Sequence, residues 1–410
     1  MFWIYTILLF LYIYSTPVRG LPSFLTTVRI ATFGLLLLFL FVKKTNGHKR
    51  PVKFTYSYHT LIRTFIFICI LLVYSVILVI SIGTGSGESI VPVYINMFVS
   101  SFLPTIILIR LFNSVDVFLK SVLWVTIIQT ICIWLCLLVP SIKELLDSLF
   151  LYNTDHEEFR EAYAGGLACI TAPGAIKYSL GIVSCVYFII KTEKIKYFVL
   201  FILLTVTATM VARTGLLIAL VCLVFMLVHL FRKVSMRTVL SYSLGCVLIV
   251  YLLVLVAGNN IDFVEERFQR LLFLFEVGLN DAFLTAYFDG STTVIPKISS
   301  ETLFGLGIYS GLSGNGIYVN ADGGYIKNYA AIGLILSALF YIFFYVNAIR
   351  IAYRMKSREN RLFVMMFIAV IALAEFKEWV IFDMYMICIF FTVVILLEQE
   401  GTNNKIQCYD

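Results

Sequence analysis

Long apolar stretches, most close to the length of a bilayer crossing, alternate with short basic segments along the 410-residue chain. The runs lack the strict polar–apolar alternation of barrel strands, which leaves helices as the elements they form. With about 20 residues needed per crossing, they place spans at 2–15, 25–42, 62–82, 91–110, 117–139, 167–190, 197–212, 214–231, 239–257, 329–349, 362–375 and 380–397. The apolar stretch 197–231 is too long for one crossing and has cationic clusters on both sides, Lys191, Lys194 and Lys196 before it and Arg232, Lys233 and Arg237 after it. Cations prefer the cytoplasmic side, so two clusters on one side require a hairpin of short helices turning near Arg213-Thr214-Gly215. The stretch 362–397 repeats this logic, with its turn expected at Glu375 to Trp379.

The predicted fold class is an all-α, polytopic integral membrane protein of about 12 transmembrane helices. Helices 1–9 occupy 1–257 with an extracytoplasmic loop at 140–166, a large extracytoplasmic loop fills 258–328, helices 10–12 occupy 329–397, and 398–410 is a cytoplasmic tail. Composition narrows the picture further. With 61% hydrophobic and 13% charged residues, the chain lies outside the range of soluble domains, which are near half apolar and a quarter charged. That excludes a water-soluble enzyme, a disordered chain and a collagen-like chain. Most lysines and arginines fall in the short segments assigned to the cytoplasm, so both termini are expected there. The net charge of +7 then reflects topology and contact with anionic membrane lipid, with no case for nucleic acid.

The first apolar run lacks a cationic leader and a small-residue cleavage site, and is expected to be a retained helix. The nine cysteines fall almost entirely in helices or the tail, and the four histidines are scattered. No disulfide framework, metal site or cofactor is expected.

The polar residues gather in the outer loops. Segment 261–279 begins with an acidic turn and continues as a broad apolar face, and 141–162 carries a weaker version. Either these helices roof a cavity open to lipid, or they are linkers covering helix ends. Beyond Pro296 comes a run with glycines at 305, 307, 311, 314, 316, 323 and 324. A flexible loop is the first expectation. A phosphate cradle has weaker support, because the run lacks the lysine and strand–turn–helix setting of a nucleotide loop.

Four cations from distant parts of the chain are expected at one depth, the outer headgroup level: Arg29, Lys177 just after Pro173-Gly174, Arg213 and Lys377. A cation at mid-membrane costs about 2.5–3.5 kcal/mol and less near the surface, so each needs a partner. Two readings remain open, a bound anion or neutralisation by Glu375, Glu378, Asp383 and lipid phosphates. Arg213 stands alone in a stretch without acids. Arg267 and Arg270, three apart on one helical face of the large loop, add guanidinium groups suited to phosphate, with Glu265 and Glu266 as competing partners.

The Arg-Thr-Gly turn in a short hairpin, the large loop before the last helices, and Asp322-Gly323-Gly324-Tyr325 with Gly333-Leu334-Ile335 together resemble the O-antigen and capsule repeat-unit polymerases of the Wzy type, within the O-antigen ligase-like superfamily. The resemblance implies a GT-C-like membrane glycosyltransferase in a bacterial cytoplasmic (inner) membrane. It would join undecaprenyl-pyrophosphate-linked oligosaccharide repeat units on the outer face in O-antigen, lipopolysaccharide or capsule polysaccharide biosynthesis. The lipid pyrophosphate would leave without help from a metal. Pyrophosphate-binding roles fall by the match on Arg213 and on Arg267 or Arg270, with Lys177, Arg29 and Lys377 in support. Asp322 is the first candidate base, with Glu375 and Glu378 behind it. Partners implied are the glycan donor and acceptor, membrane lipid, a chain-length regulator and a flippase. Ligases of the superfamily usually carry a histidine where the loop re-enters the membrane, whereas this chain has Asn320-Ala321-Asp322 there. The departure favours polymerase over ligase. A lipid-linked oligosaccharide flippase or transporter is the alternative from another class, although similar halves are not detected.

Overall fold

A computed structural model of the chain describes residues 2–14, 54–149, 172–233, 296–320, 323–382 and 386–406. The apolar runs become helices α1 (Phe2–Ile13), α2 (Tyr56–Ile82), α3 (Val91–Met97), α4 (Leu103–Leu111), α5 (Val115–Leu138), α6 (Pro140–Leu149), α7 (Ala172–Thr192), α8 (Ile195–Val211) and α9 (Arg213–Lys233). They continue with α10 (Ser300–Phe304), α11 (Gly324–Arg354), α12 (Arg358–Lys377) and α13 (Met386–Ile406). A five-residue π-helical turn, Phe98–Phe102, joins α3 to α4. Hydroxyl side chains start several helices by accepting an otherwise unpaired backbone N–H: Thr55 from Tyr58, Ser114 from Val117 and Ser357 from Asn360.

The protein is a membrane-embedded helical bundle. Six helices among the described residues are long and apolar enough to cross a bilayer: Tyr56–Ile82, Val91–Leu111, Val115–Cys136, Pro173–Thr192, Thr214–Phe231 and Gly324–Arg354. The stripe Ile66, Ile70, Val73, Ile77 and Ile80 of α2 is exposed, as a lipid-facing surface must be. By contrast, every residue of α13 from Met386 to Leu397 is buried, so this helix is surrounded by protein. The expected spans 25–42 and 239–257 lie outside the described residues.

Both expected hairpins acquire specific geometry. Between α8 and α9, Ala212 adopts extended backbone. A Cβ on Gly215 would come within 2.6 Å of the Ala208 carbonyl oxygen, so the chain reverses within one residue and the two helices pack at once. The second turn falls later than expected. Helix α12 continues through Glu375 to Lys377, and α13 begins only at Met386. The cause is Glu375 itself, whose buried carboxylate accepts the Val380 and Ile381 backbone N–H groups and folds the chain over the helix end.

One end of the bundle is basic and is locked by α13. Glu398 accepts the Ser57 N–H at the start of α2 (2.9 Å), and Glu400 accepts the Val115 N–H at the start of α5 (2.9 Å). Negative charge at helix N-termini is favourable, so a single helix pins two others. The Arg354 guanidinium lies 3.9 Å from the Tyr56 ring centre, and Tyr187 of α7 packs edge-on to Phe363 of α12 at 4.9 Å.

The opposite end carries the glycine-rich run, which is not the flexible loop expected. Strand β2 (Ile308–Leu312) pairs antiparallel with β1 (Glu88–Ser89), which follows α2, and with β3 (Tyr318–Val319). Glycine makes this sheet fit: at Gly85 and Gly87 an added Cβ would meet the Leu312 and Ser310 carbonyl oxygens at 2.6 and 2.9 Å. Helix α11 breaks at Gly333, whose φ of 84° is left-handed. The break frees the Ala330 and Ala331 carbonyls, and the Leu306 and Gly307 N–H groups occupy them at 2.8 and 2.9 Å. The sheet is thereby riveted to the head of α11.

Candidate functional site

The sheet end gathers polar groups that the apolar pattern alone would not retain. Glu375 is fully buried in the last turn of α12. Its Oε1 accepts the Tyr341 hydroxyl at 2.6 Å, while Oε2 accepts Val380 N–H at 2.8 Å and Ile381 N–H at 2.7 Å. A buried carboxylate is tolerated when its oxygens are satisfied in this way. The Asn328 amide donates in turn to the Tyr341 oxygen. Gly324 at the head of α11 leaves room for the carboxylate, because a Cβ there would overlap Glu375 Oε1. Beside this chain the Tyr325 and Tyr345 hydroxyls meet at 2.7 Å.

The ammonium of Lys327 lies 5.8 Å from the Trp379 ring centre and within electrostatic reach of Glu375. Trp379 also packs against Tyr309 of β2, at 4.9 Å between ring centres. One buried carboxylate therefore ties α11, α12 and the turn at 378–382, and the Trp379 ring joins that turn to the sheet. The base candidate Glu375 has each oxygen engaged, an arrangement that suits holding the site in shape.

A second polar layer lies between α5, α7 and α8. Thr126, Thr130 and Trp134 follow one another at successive turns of α5. Thr130 bonds the Tyr178 hydroxyl, and Trp134 Nε1 donates to Thr207 Oγ1 at 3.0 Å. The first bond ties α5 to α7, and the second ties α5 to α8 of the hairpin. Contact of Thr126 with Gly181 brings α5 and α7 into close register, since an added Cβ there would overlap the threonine side chain.

Of the residues expected in the site, Arg213 is the first residue of α9, immediately after the extended Ala212. Lys177 is half-buried in the second turn of α7, Lys377 half-buried at the last residue of α12, and Glu378 follows in extended backbone. The Tyr187–Phe363 contact and the antiparallel course of α7 and α12 put Lys177 and Lys377 at the same end of the bundle. The hairpin turn brings Arg213 to that end as well, because His229 near the far end of α9 lies 4.0 Å from Glu193 beside the basic clusters. Arg29, Arg267, Arg270 and Asp322 lie outside the described residues, as does the side chain of Arg213. Lys327 is the addition that sequence reasoning missed. Its signal is a lysine five residues beyond Asp322 at the start of an apolar run, in a segment expected to be loop. Among the described residues no group of histidine, cysteine and carboxylate side chains could hold a metal ion.

The class this fold and site define is a multi-helix membrane protein with a sheet-capped polar end. Comparison with protein-family models, curated proteins and solved structures finds no match.

Proposed function

We propose that the chain is a polysaccharide polymerase of the Wzy type, joining undecaprenyl-pyrophosphate-linked repeat units on the outer face of a bacterial cytoplasmic membrane. The observation that carries this reading is the gathering of Arg213, Lys177, Lys327 and Lys377 at the bundle end opposite the basic clusters. By the positive-inside rule, those clusters face the cytoplasm and the sheet end faces outward. Cations kept at an outer headgroup level suit a lipid-linked pyrophosphate, which is anionic at that depth.

The chemistry follows from charge. A hydroxyl of the acceptor sugar attacks the anomeric carbon of the donor, forming the new glycosidic C–O bond as the bond to the pyrophosphate oxygen breaks. The transition state resembles the oxocarbenium ion of glycoside hydrolysis. Negative charge grows on the departing pyrophosphate, where Arg213, with Arg267 or Arg270, would stabilise it in fixed geometry. The hydroxyl proton passes to the Asp322 carboxylate. Glu375 and Tyr341 tie α11 to the last turn of α12, which ends at Lys377. The donor is already activated, so no nucleotide sugar is consumed on that side.

The direct test is purified protein in vesicles supplied with the lipid-linked repeat unit. A ladder of products spaced by one repeat is expected, and unchanged starting material from a folded preparation would overturn the reading. Asp322→Asn should lower turnover by about 10²- to 10⁴-fold, the usual worth of a general base, with donor binding retained. An unchanged turnover number would move the base elsewhere. Topology has its own check. Asn315, exposed in the β2–β3 turn, should react as Asn315→Cys with an impermeant maleimide added outside intact inner-membrane spheroplasts. Labelling only after permeabilisation would invert the assignment.

A further inference from the structure

Helices α2 and α11 lie side by side in opposite directions and are joined at two levels. Near the basic end, the Tyr56 hydroxyl donates to Asn347 Oδ1 at 3.3 Å and the Arg354 guanidinium covers the Tyr56 ring. Toward the middle of the bundle, Phe67 packs against Phe343 and Phe340, with ring centres 5.3 and 5.7 Å apart. Beside this seam both helices turn apolar side chains outward, Ile66, Ile70 and Ile77 on α2 and Leu339, Ile342 and Val346 on α11. Side chains three, four or seven residues apart share a helix face. Arg63, three residues before Ile66 and four before Phe67, therefore lies between the apolar stripe of α2 and the flank that meets α11. Arg350 has the mirror position on α11, four residues after Val346 and three after Asn347. The two guanidinium groups thus flank the lipid side of one seam, with Arg354 one turn further on, and all three residues are exposed.

Among the described residues, no carboxylate lies within 4.0 Å of Arg63, Arg350 or Arg354. Arg63 stands about 10 Å along α2 from Tyr56, among side chains that face lipid. A cation there is costly unless its long stem carries it to the headgroup phosphates. We infer that this seam binds an anionic phospholipid of the leaflet at the basic end. Its phosphodiester lies between Arg63 and Arg350 with Arg354 beside it, and its acyl chains lie along the two apolar stripes. Guanidinium forks suit a phosphate because each can give it two parallel N–H bonds. The local charge selects among lipids: a headgroup with its own ammonium brings a cation toward three arginines and no acid, whereas an anionic headgroup brings none.

Native mass spectrometry of the full chain in detergent, with phosphatidylglycerol, phosphatidylethanolamine and phosphatidylcholine added in equal amounts, tests the site. Phosphatidylglycerol adducts should exceed those of both zwitterionic lipids. They should weaken about fivefold in Arg63→Ala and in Arg350→Ala, the usual worth of one basic residue at an anionic membrane surface. Lys194→Ala removes the same charge from the exposed start of α8, outside this seam, and should leave the adducts unchanged. Arg350→Lys keeps the charge and should retain most of the binding, and a single symmetric elution peak for each variant separates lost binding from a lost fold. Three outcomes overturn the inference: equal retention of the three lipids, phosphatidylglycerol adducts indifferent to both arginine substitutions, or an equal loss in Lys194→Ala, which would mean diffuse attraction to a basic surface.

Discussion

Replacing Arg213 by alanine is expected to abolish long-chain polymer while leaving the protein inserted at wild-type abundance. Loss of one fixed donor to a developing oxyanion lowers turnover by about 10²- to 10³-fold. A chain-extending enzyme slowed to that degree delivers single repeats to the surface. The fold should survive because the turn is closed by main-chain bonds, Ala212 N–H to Ala208 O at 3.0 Å and Gly215 N–H to Ala212 O at 2.9 Å. The close approach of Gly215 to Ala208 is likewise independent of the side chain at 213. Arg213→Lys separates charge from geometry: it keeps the cation but loses the planar fork that grips phosphate through two bonds, so partial chain length is expected. Gel analysis of the glycan beside an immunoblot of the membrane fraction reads both quantities. Normal chain length in Arg213→Ala would remove this residue from the site.

Legibility in the sequence followed the range of the interaction. The hairpin at Arg213 could be read because its determinants are local, two cationic clusters enclosing an apolar stretch too long for one span. The sheet could not, because Gly85 and Gly87 meet Leu312 and Ser310 from far along the chain, and a glycine-rich segment looks the same whether it is loose or tightly packed. Helix α13 shows a different blindness. A helix apolar on every side gives no sign of whether lipid or protein surrounds it, and only the packed bundle shows that Met386 to Leu397 are enclosed. Glu375 lay between these cases. A carboxylate at the end of an apolar run announced itself as unusual, but its partners Tyr341, Val380 and Ile381 arrive by tertiary folding. The same is true of Lys327, which becomes part of the site only once Trp379 is folded beside it.

Glu375→Ala is expected to lower stability by several kcal/mol and to reduce activity only in proportion to the folded protein that remains. The substitution strips an acceptor from two backbone N–H groups and one hydroxyl at once. Each buried donor left unsatisfied costs about 1–3 kcal/mol, and the vacated volume beside Gly324 adds a cavity term. Such a loss is comparable with the roughly 5–15 kcal/mol by which ordinary domains are stable, so a large drop in the thermal midpoint should be visible by size-exclusion chromatography of heated, detergent-solubilised protein. Glu375→Gln isolates the role. One amide oxygen can still accept the Val380 and Ile381 N–H groups, but its NH₂ then faces the Tyr341 hydroxyl, which already accepts a bond from Asn328. Intermediate stability with turnover per folded molecule close to wild type is the expected outcome for a residue that holds α11, α12 and the 378–382 turn together. A Gln variant that melts like the wild type yet loses turnover by two orders of magnitude or more would instead place the proton-accepting role on Glu375 and take it from Asp322.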